Sequence, residues 1–147
     1  MTGTQFAVVF SLVAGVAGAA QAAVSGALGR RVGTIGAAGF GVVVAAVLVV
    51  VLALVLGRGG SIVAATREPP WLWVGGLFGA LIVIAIAYAP PRIGTFATVA
   101  LLIAGQLVAG AMIDAFGWFG SPRIAVSFTR ALGLLLVAGG AALTLKR

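Results

Sequence analysis

Residues 41–56 read Gly-Val-Val-Val-Ala-Ala-Val-Leu-Val-Val-Val-Leu-Ala-Leu-Val-Leu, without one polar side chain. The apolar run extends from about Thr34 to Leu56. A strand is punctuated by turn residues every 4–8 positions, and nothing here interrupts the run, so its length selects a helix despite the β-branched valines. A helix that is apolar around its whole circumference has no face for water. In hydrocarbon, moreover, only helices and closed barrels satisfy their own backbone. This segment predicts a membrane-spanning helix with lipid on most of its surface.

The rest of the 147-residue chain repeats the pattern. Only 7% of residues are charged and 63% are hydrophobic, against roughly 25% and 45–50% in soluble domains. Further apolar runs cover about residues 5–28, 71–88, 94–114 and 123–145. Each approaches the roughly 20 residues that a span requires. The predicted fold is therefore an all-α polytopic transmembrane helix bundle of about five helices, forming one transmembrane domain over 1–147. The first run is too long for the apolar part of a leader peptide, and no Lys or Arg precedes it, so it reads as a span. Trp71 and Trp73 at one end of the third run and Tyr88 at the other suit an interfacial aromatic belt. Pro69-Pro70 and Pro90-Pro91 bracket that run, and Ser121-Pro122 reads as the start of the last helix. No short tandem repeat or low-complexity linker is visible.

The formal charge of +7 does not indicate nucleic acid, because the cations fall singly or in pairs between apolar runs, where lipid headgroups lie. With five spans, one membrane face receives Arg58, Arg67 and Arg123, with Arg130 one or two turns inside the last helix. The opposite face receives Arg30, Arg31, Arg92, Lys146 and Arg147. This asymmetry weakly favours the N-terminus outside and the C-terminus in the cytoplasm. A near-balanced count also suits a chain that inserts in both orientations, and two such chains, one inverted, make an inverted-repeat assembly.

Chemistry is sparse. Cys and His are absent, which removes disulfides, thiolate reactions and the common zinc sites. The acids are Glu68, in a polar loop, and Asp114. No acid–base or nucleophile constellation can be assembled, so the chain does not read as an enzyme and implies no cofactor or metal. Polar residues within the spans carry more information, since hydrocarbon penalises them and they mark pathways or partners. Gln21 lies late in the first helix. Gln106 and Asp114, eight residues apart, fall within roughly 80° of one helix face and about 12 Å apart along the axis. Asp114 pairs in this reading with Arg130, as a gate or anchor. Gly15, Gly18, Gly75, Gly79, Gly105 and Gly133 provide small surfaces on which helices pack closely in lipid.

Three strings carry a resemblance: PWLWVGGLFGALIVIAIAYAPPRIG from Pro70, ALLIAGQLVAGAMIDAFGWFG from Ala100 and SFTRALGLLLVAGGAAL from Ser127. Together with GVAGAAQAAVSGALG around Gln21, they resemble the YdcZ-like family of bacterial inner-membrane proteins in the drug/metabolite transporter superfamily. Ser25 stands where comparable members often have Asn. The resemblance implies a half-size transporter unit of about five helices that assembles with itself or a homologous subunit, in some cases in opposite orientations. The related small multidrug exporters use a glutamate in their first helix, and this chain has no acid there, so proton-coupled cation antiport by that mechanism is not supported.

The expected function is thus a small-solute transporter subunit of the inner membrane, working as a dimer by alternating access. Gln21, Trp73 and Gln106 would line its site, and membrane lipid, a second subunit and a small-molecule solute would be its partners. The alternative is a structural or accessory membrane protein with no transport of its own. The membrane assignment makes a direct prediction: the expressed chain stays in the pellet after membranes are washed with alkaline carbonate and is released only by detergent. Recovery in the wash would overturn it.

Overall fold

The computed structural model describes residues 2–145. The expectation for Lys146 and Arg147 lies outside them. The fold is all-α: α1 Gly3–Val32, α2 Thr34–Val55, α3 Gly59–Ala65, α4 Val74–Tyr88, α5 Pro90–Ile93, α6 Thr95–Phe116 and α7 Phe128–Leu143, with 3₁₀ turns at Pro70–Trp73 and Trp118–Gly120. Four segments are long and apolar enough to cross a membrane: Gly3–Val32, Thr34–Val55, Pro70–Ile93 and Thr95–Phe116. The fifth, α7, is apolar but has only 16 residues.

Several boundaries move from their sequence positions, each for a local reason. Helix α1 runs four residues past Leu28, through Gly29, Arg30 and Arg31. Two cations in its last turn meet the negative end of the helix dipole. It stops only at Gly33, whose φ of 82° and ψ of 157° belong to a region open essentially to glycine alone. The polar stretch after α2 is not a plain loop, since its apolar centre folds as α3. Pro90 and Pro91 do not simply end the third span. They open α5, since proline costs little in a first helical turn.

The largest correction concerns the last helix. It begins at Phe128, not near Arg123, and the cap is Ser127, not Ser121. The Ser127 Oγ accepts a hydrogen bond from the Arg130 backbone N–H at 3.3 Å. Residues 121–127 instead run without helix against the end of α6. The Ile124 N–H donates to the Asp114 carbonyl at 2.9 Å, and the Arg123 Nε–H donates to the Phe116 carbonyl at 3.3 Å. The chain thereby satisfies the terminal carbonyls of α6 that would otherwise lack partners.

The chain forms two compact units, one comprising residues up to Ala20 and those from Arg92 onward, the other Gln21–Pro91. In the second unit, Ala37, Ala38 and Ala87 form a buried cluster flanked by Leu28 and Val83. In the first, α6 packs on α7, and Ala97, Thr98 and Ala141 are buried. Among the described residues, the buried hydrophobic side chains are alanines apart from Ile86 and Pro90, while most of the large aliphatic and aromatic side chains are exposed. This distribution is inverted relative to a soluble core. It fits a chain whose large apolar groups meet lipid and whose helices touch through small residues.

Close helix contacts occur at Gly29 and Gly26. A Cβ on Gly29 would lie 2.7 Å from the Ala87 carbonyl oxygen, and one on Gly26 would lie 2.8 Å from Pro90 Cβ. By contrast, a Cβ on Gly15, Gly18, Gly75, Gly79, Gly105 or Gly133 would meet nothing within 4 Å. Within the chain the close approaches are thus at Gly26 and Gly29, and these six glycines face open space. The contrast is testable by thermal unfolding in detergent. Alanine gains about 1 kcal/mol over glycine in a helix, which Gly39→Ala, in open space, should retain. Gly29→Ala should instead be net destabilising, because forcing an atom into a filled contact costs about 1–3 kcal/mol.

Candidate functional site

The first unit contains a cavity of about 480 Å³ between α6 and α7. Helix α6 supplies Gln106, Leu107, Gly110, Ala111 and Asp114. These recur at the three- and four-residue spacing that keeps side chains on one helix face. Helix α7 supplies Arg130, Gly133, Leu134 and Val137 in the same rhythm. The cavity exists because Gly110, Ala111 and Gly133 present almost no side chain where two helices pack along their length. Leu107, Leu134 and Val137 make its walls apolar, and its polar groups are Gln106, Asp114 and Arg130.

The charged end is built from three segments. Asp114 Oδ2 lies 3.8 Å from the Arg130 guanidinium, an ion pair with both side chains partly exposed (35% and 51%). The Ser121 hydroxyl donates to Asp114 Oδ1 at 3.1 Å. Gly117 closes α6 in the left-handed conformation (φ 67°, ψ 33°) and turns the chain back so that Ser121 can reach. A side chain at Gly117 would also strike Arg123 Cγ at 2.8 Å. The stacked rings of Phe116 and Trp118, 5.1 Å apart, support the same turn.

Arg130 is not one or two turns inside a long helix, as the sequence suggested. It is the third residue of α7. A cation there faces the positive end of the helix dipole, which is unfavourable. Asp114 across the cavity offsets that, so the ion pair has an electrostatic reason independent of depth. At 3.8 Å the guanidinium is beyond direct hydrogen-bond distance from the carboxylate. It therefore retains capacity for another anionic or polar group.

The site residues expected from sequence divide accordingly. Gln106, Asp114 and Arg130 come together in one cavity, and Gly133 lines it. Gln21 and Trp73 belong to the other compact unit and are not among its lining residues. Gln21 is exposed on α1, and the Trp73 indole N–H donates to the Ala65 carbonyl at 3.2 Å, tying the 3₁₀ turn to the end of α3. Ser121, Gly110 and Leu134 were missed. The last two were available in the spacing from Gln106 and Arg130. Ser121 was not, because it appeared to cap a helix that begins later.

Three comparisons bear on the chain. A family model described as "Putative inner membrane exporter, YdcZ" matches residues 6–143. The inner membrane protein YdcZ of Escherichia coli (strain K12) is 34% identical over 88 residues, covering 60% of this chain and 57% of that protein. The matched region thus spans little more than half the length of that relative. No solved structure matches. With four helices apolar and long enough to span, these matches make the chain a multi-pass inner-membrane protein.

The hydrogen bonds at Asp114 predict a local effect. Asp114→Ala removes both the acceptor of Ser121 and the partner of Arg130, so the 121–127 segment should open more often, as weakly held segments do. Trypsin cleavage at Arg123 should accelerate several-fold, whereas Asp114→Asn, which keeps an acceptor for Ser121, should change it less. Equal rates in all three proteins would remove Asp114 from this role.

Proposed function

Because this chain belongs to the DMT_YdcZ family of inner-membrane proteins, we propose that it is a subunit of a small-solute exporter that works as a dimer by alternating access. The observation that carries this reading is the cavity between α6 and α7, where Gln106 and the Asp114–Arg130 pair collect in helices otherwise almost free of polar groups. Polar side chains are retained in such helices at a cost, and substrate pathways are where that cost is compensated. The apolar walls accept the non-polar part of a solute, and the guanidinium, not fully engaged by Asp114, accepts its polar part. The ion pair then acts as a gate that a solute opens by competing for Arg130.

Dimerisation is supported by the open glycines. Gly15, Gly18, Gly75 and Gly79 lie on transmembrane helices with nothing of this chain within 4 Å of a built Cβ. Such surfaces allow close approach of another helix in lipid. The partner is a second copy or a homologous subunit. The near-balanced cations on the two faces support an antiparallel arrangement, with the weaker preference of N-terminus outside as the alternative.

The test is flux and topology together. In proteoliposomes the wild type should release small fluorescent organic solutes from a mixed panel. Gln106→Ala and Arg130→Ala should each lower that flux at least about tenfold, the effect of losing roughly 1.4 kcal/mol of interaction, while remaining folded and membrane-inserted. A C-terminal reporter active on both sides of the membrane supports dual insertion, and activity on one side alone sinks it. A wild type that moves no member of the panel and stays monomeric favours the accessory reading.

A further inference from the structure

The two corners made by a single glycine between consecutive helices, Gly33 and Gly94, are copies of one another. Arg31-Val32-Gly33-Thr34-Ile35 reappears as Arg92-Ile93-Gly94-Thr95-Phe96, 61 positions later (33 and 94). At the same offset, Gly15-Val16-Ala17-Gly18-Ala19 in the preceding helix reappears as Gly76-Leu77-Phe78-Gly79-Ala80. The backbone repeats as closely as the sequence. Gly33 has φ 82° and ψ 157°, and Gly94 has φ 84° and ψ 156°. Each opens a helix of 22 residues without a side-chain cap. Each of those helices is followed by a glycine at φ 67°, Gly57 and Gly117. The polar chemistry is not repeated: Gln106 and Asp114 of α6 correspond to Ala45 and Ala53 of α2.

A corner of one residue has a mechanical consequence. Val32 ends α1 and Thr34 begins α2, while Ile93 ends α5 and Thr95 begins α6. At Gly33 the flanking residues are held by helical hydrogen bonds, so a change in the angle between α1 and α2 must fall on the φ and ψ of that glycine. At Gly94 it is shared with the joint at Ala89, because Pro90 and Pro91 have no N–H to hold α5 to α4. Hinges are generally a few element-terminal residues of this kind. The region these glycines occupy is closed to other L-residues. The fully buried residues lie just beyond each pivot, at Ala37 and Ala38 in α2 and at Ala97 and Thr98 in α6; the remainder of α2 is largely exposed, and that of α6 is partly covered. The first turn of α2 is thus anchored and its far end is not, whereas the far end of α6 holds α7 and the 121–127 segment, which would tilt with it. In α6 the far end carries Asp114.

We propose that Gly33 and Gly94 are matched pivots, on which α2 and α6 tilt by the same motion. The purpose of the motion rests on the transport reading, but its measurement does not. Because the chain has no cysteine, spin-label pairs can be introduced without background. Val16→Cys with Val42→Cys spans Gly33, and Leu77→Cys with Ile103→Cys spans Gly94 together with the joint at Ala89, which Gly94→Ala leaves unchanged. These are corresponding positions in the two copies, with exposures of 73% and 43% against 70% and 44%. Distances are measured by electron paramagnetic resonance in phosphatidylethanolamine–phosphatidylglycerol vesicles, with labelled protein diluted by unlabelled protein so that only intrachain pairs contribute.

Both pairs should give distributions broader than rigid helices produce, and alike in breadth. Gly33→Ala should narrow the first distribution by about half and leave the second, with Gly94→Ala doing the reverse, since each substitution closes the torsions of one pivot only. A narrow single distance in both wild-type pairs, motion at one corner alone, or breadth unchanged in a folded alanine variant would overturn the proposal. If the alanine variants lose their helical circular dichroism, the two wild-type distributions decide it. Matched broad distributions in a protein that moves no solute would sink the transport reading and leave the pivots standing.

Discussion

Lipid offers no hydrogen-bond partner to a peptide group, and the rest of this structure follows from that constraint. Every described span closes its backbone bonds internally as a helix. The difficult places are then the ends, where N–H and carbonyl groups are left over. The chain manages them economically. Two corners use a single glycine each, Ser127 caps α7, and the 121–127 segment returns along α6 to occupy its terminal carbonyls. The same segment brings Ser121 to Asp114. The polar end of the cavity is thus assembled partly as a by-product of finishing a helix.

Because the surroundings are oil, burial no longer separates large apolar residues from the rest. Alanine and glycine do the packing, as at Ala37, Ala38 and Ala87 and where Gly29 meets the Ala87 carbonyl. The long aliphatic side chains face outward. A cavity in such a protein arises from absence, at Gly110, Ala111 and Gly133, rather than from a ring of bulky groups.

What could be read from the sequence follows the same physics. The long spans were legible because hydrophobic length is a direct consequence of bilayer thickness, and Gln106 with Asp114 was legible because helical rotation is fixed. The start of α7 was not. Ser121-Pro122 and Ser127 are both acceptable helix starts, and the choice depended on hydrogen bonds to Asp114 and Phe116, which are distant in sequence. Which glycines pack was not decided by the sequence either. A chain with 23 glycines offers many equivalent candidates, and only the position of Ala87 and Pro90 selects Gly29 and Gly26. The 61-residue repeat was not legible because Gln21, Ser25 and Arg30 between its matched segments stand against Ile82, Ile86 and Pro91, and the equality of Gly33 and Gly94 is visible in torsion angles.

Helix α7 has a consequence for the membrane itself. Its 16 residues span about 24 Å at 1.5 Å per residue, short of a hydrocarbon core about 30 Å thick. A helix shorter than its bilayer is accommodated by local thinning or by polar groups reaching outward. Thinning at α7 would draw headgroups and water toward Ser127 and Arg130, at the charged end of the cavity. A solute approaching from that side would then not have to cross the full thickness of oil to reach the ion pair.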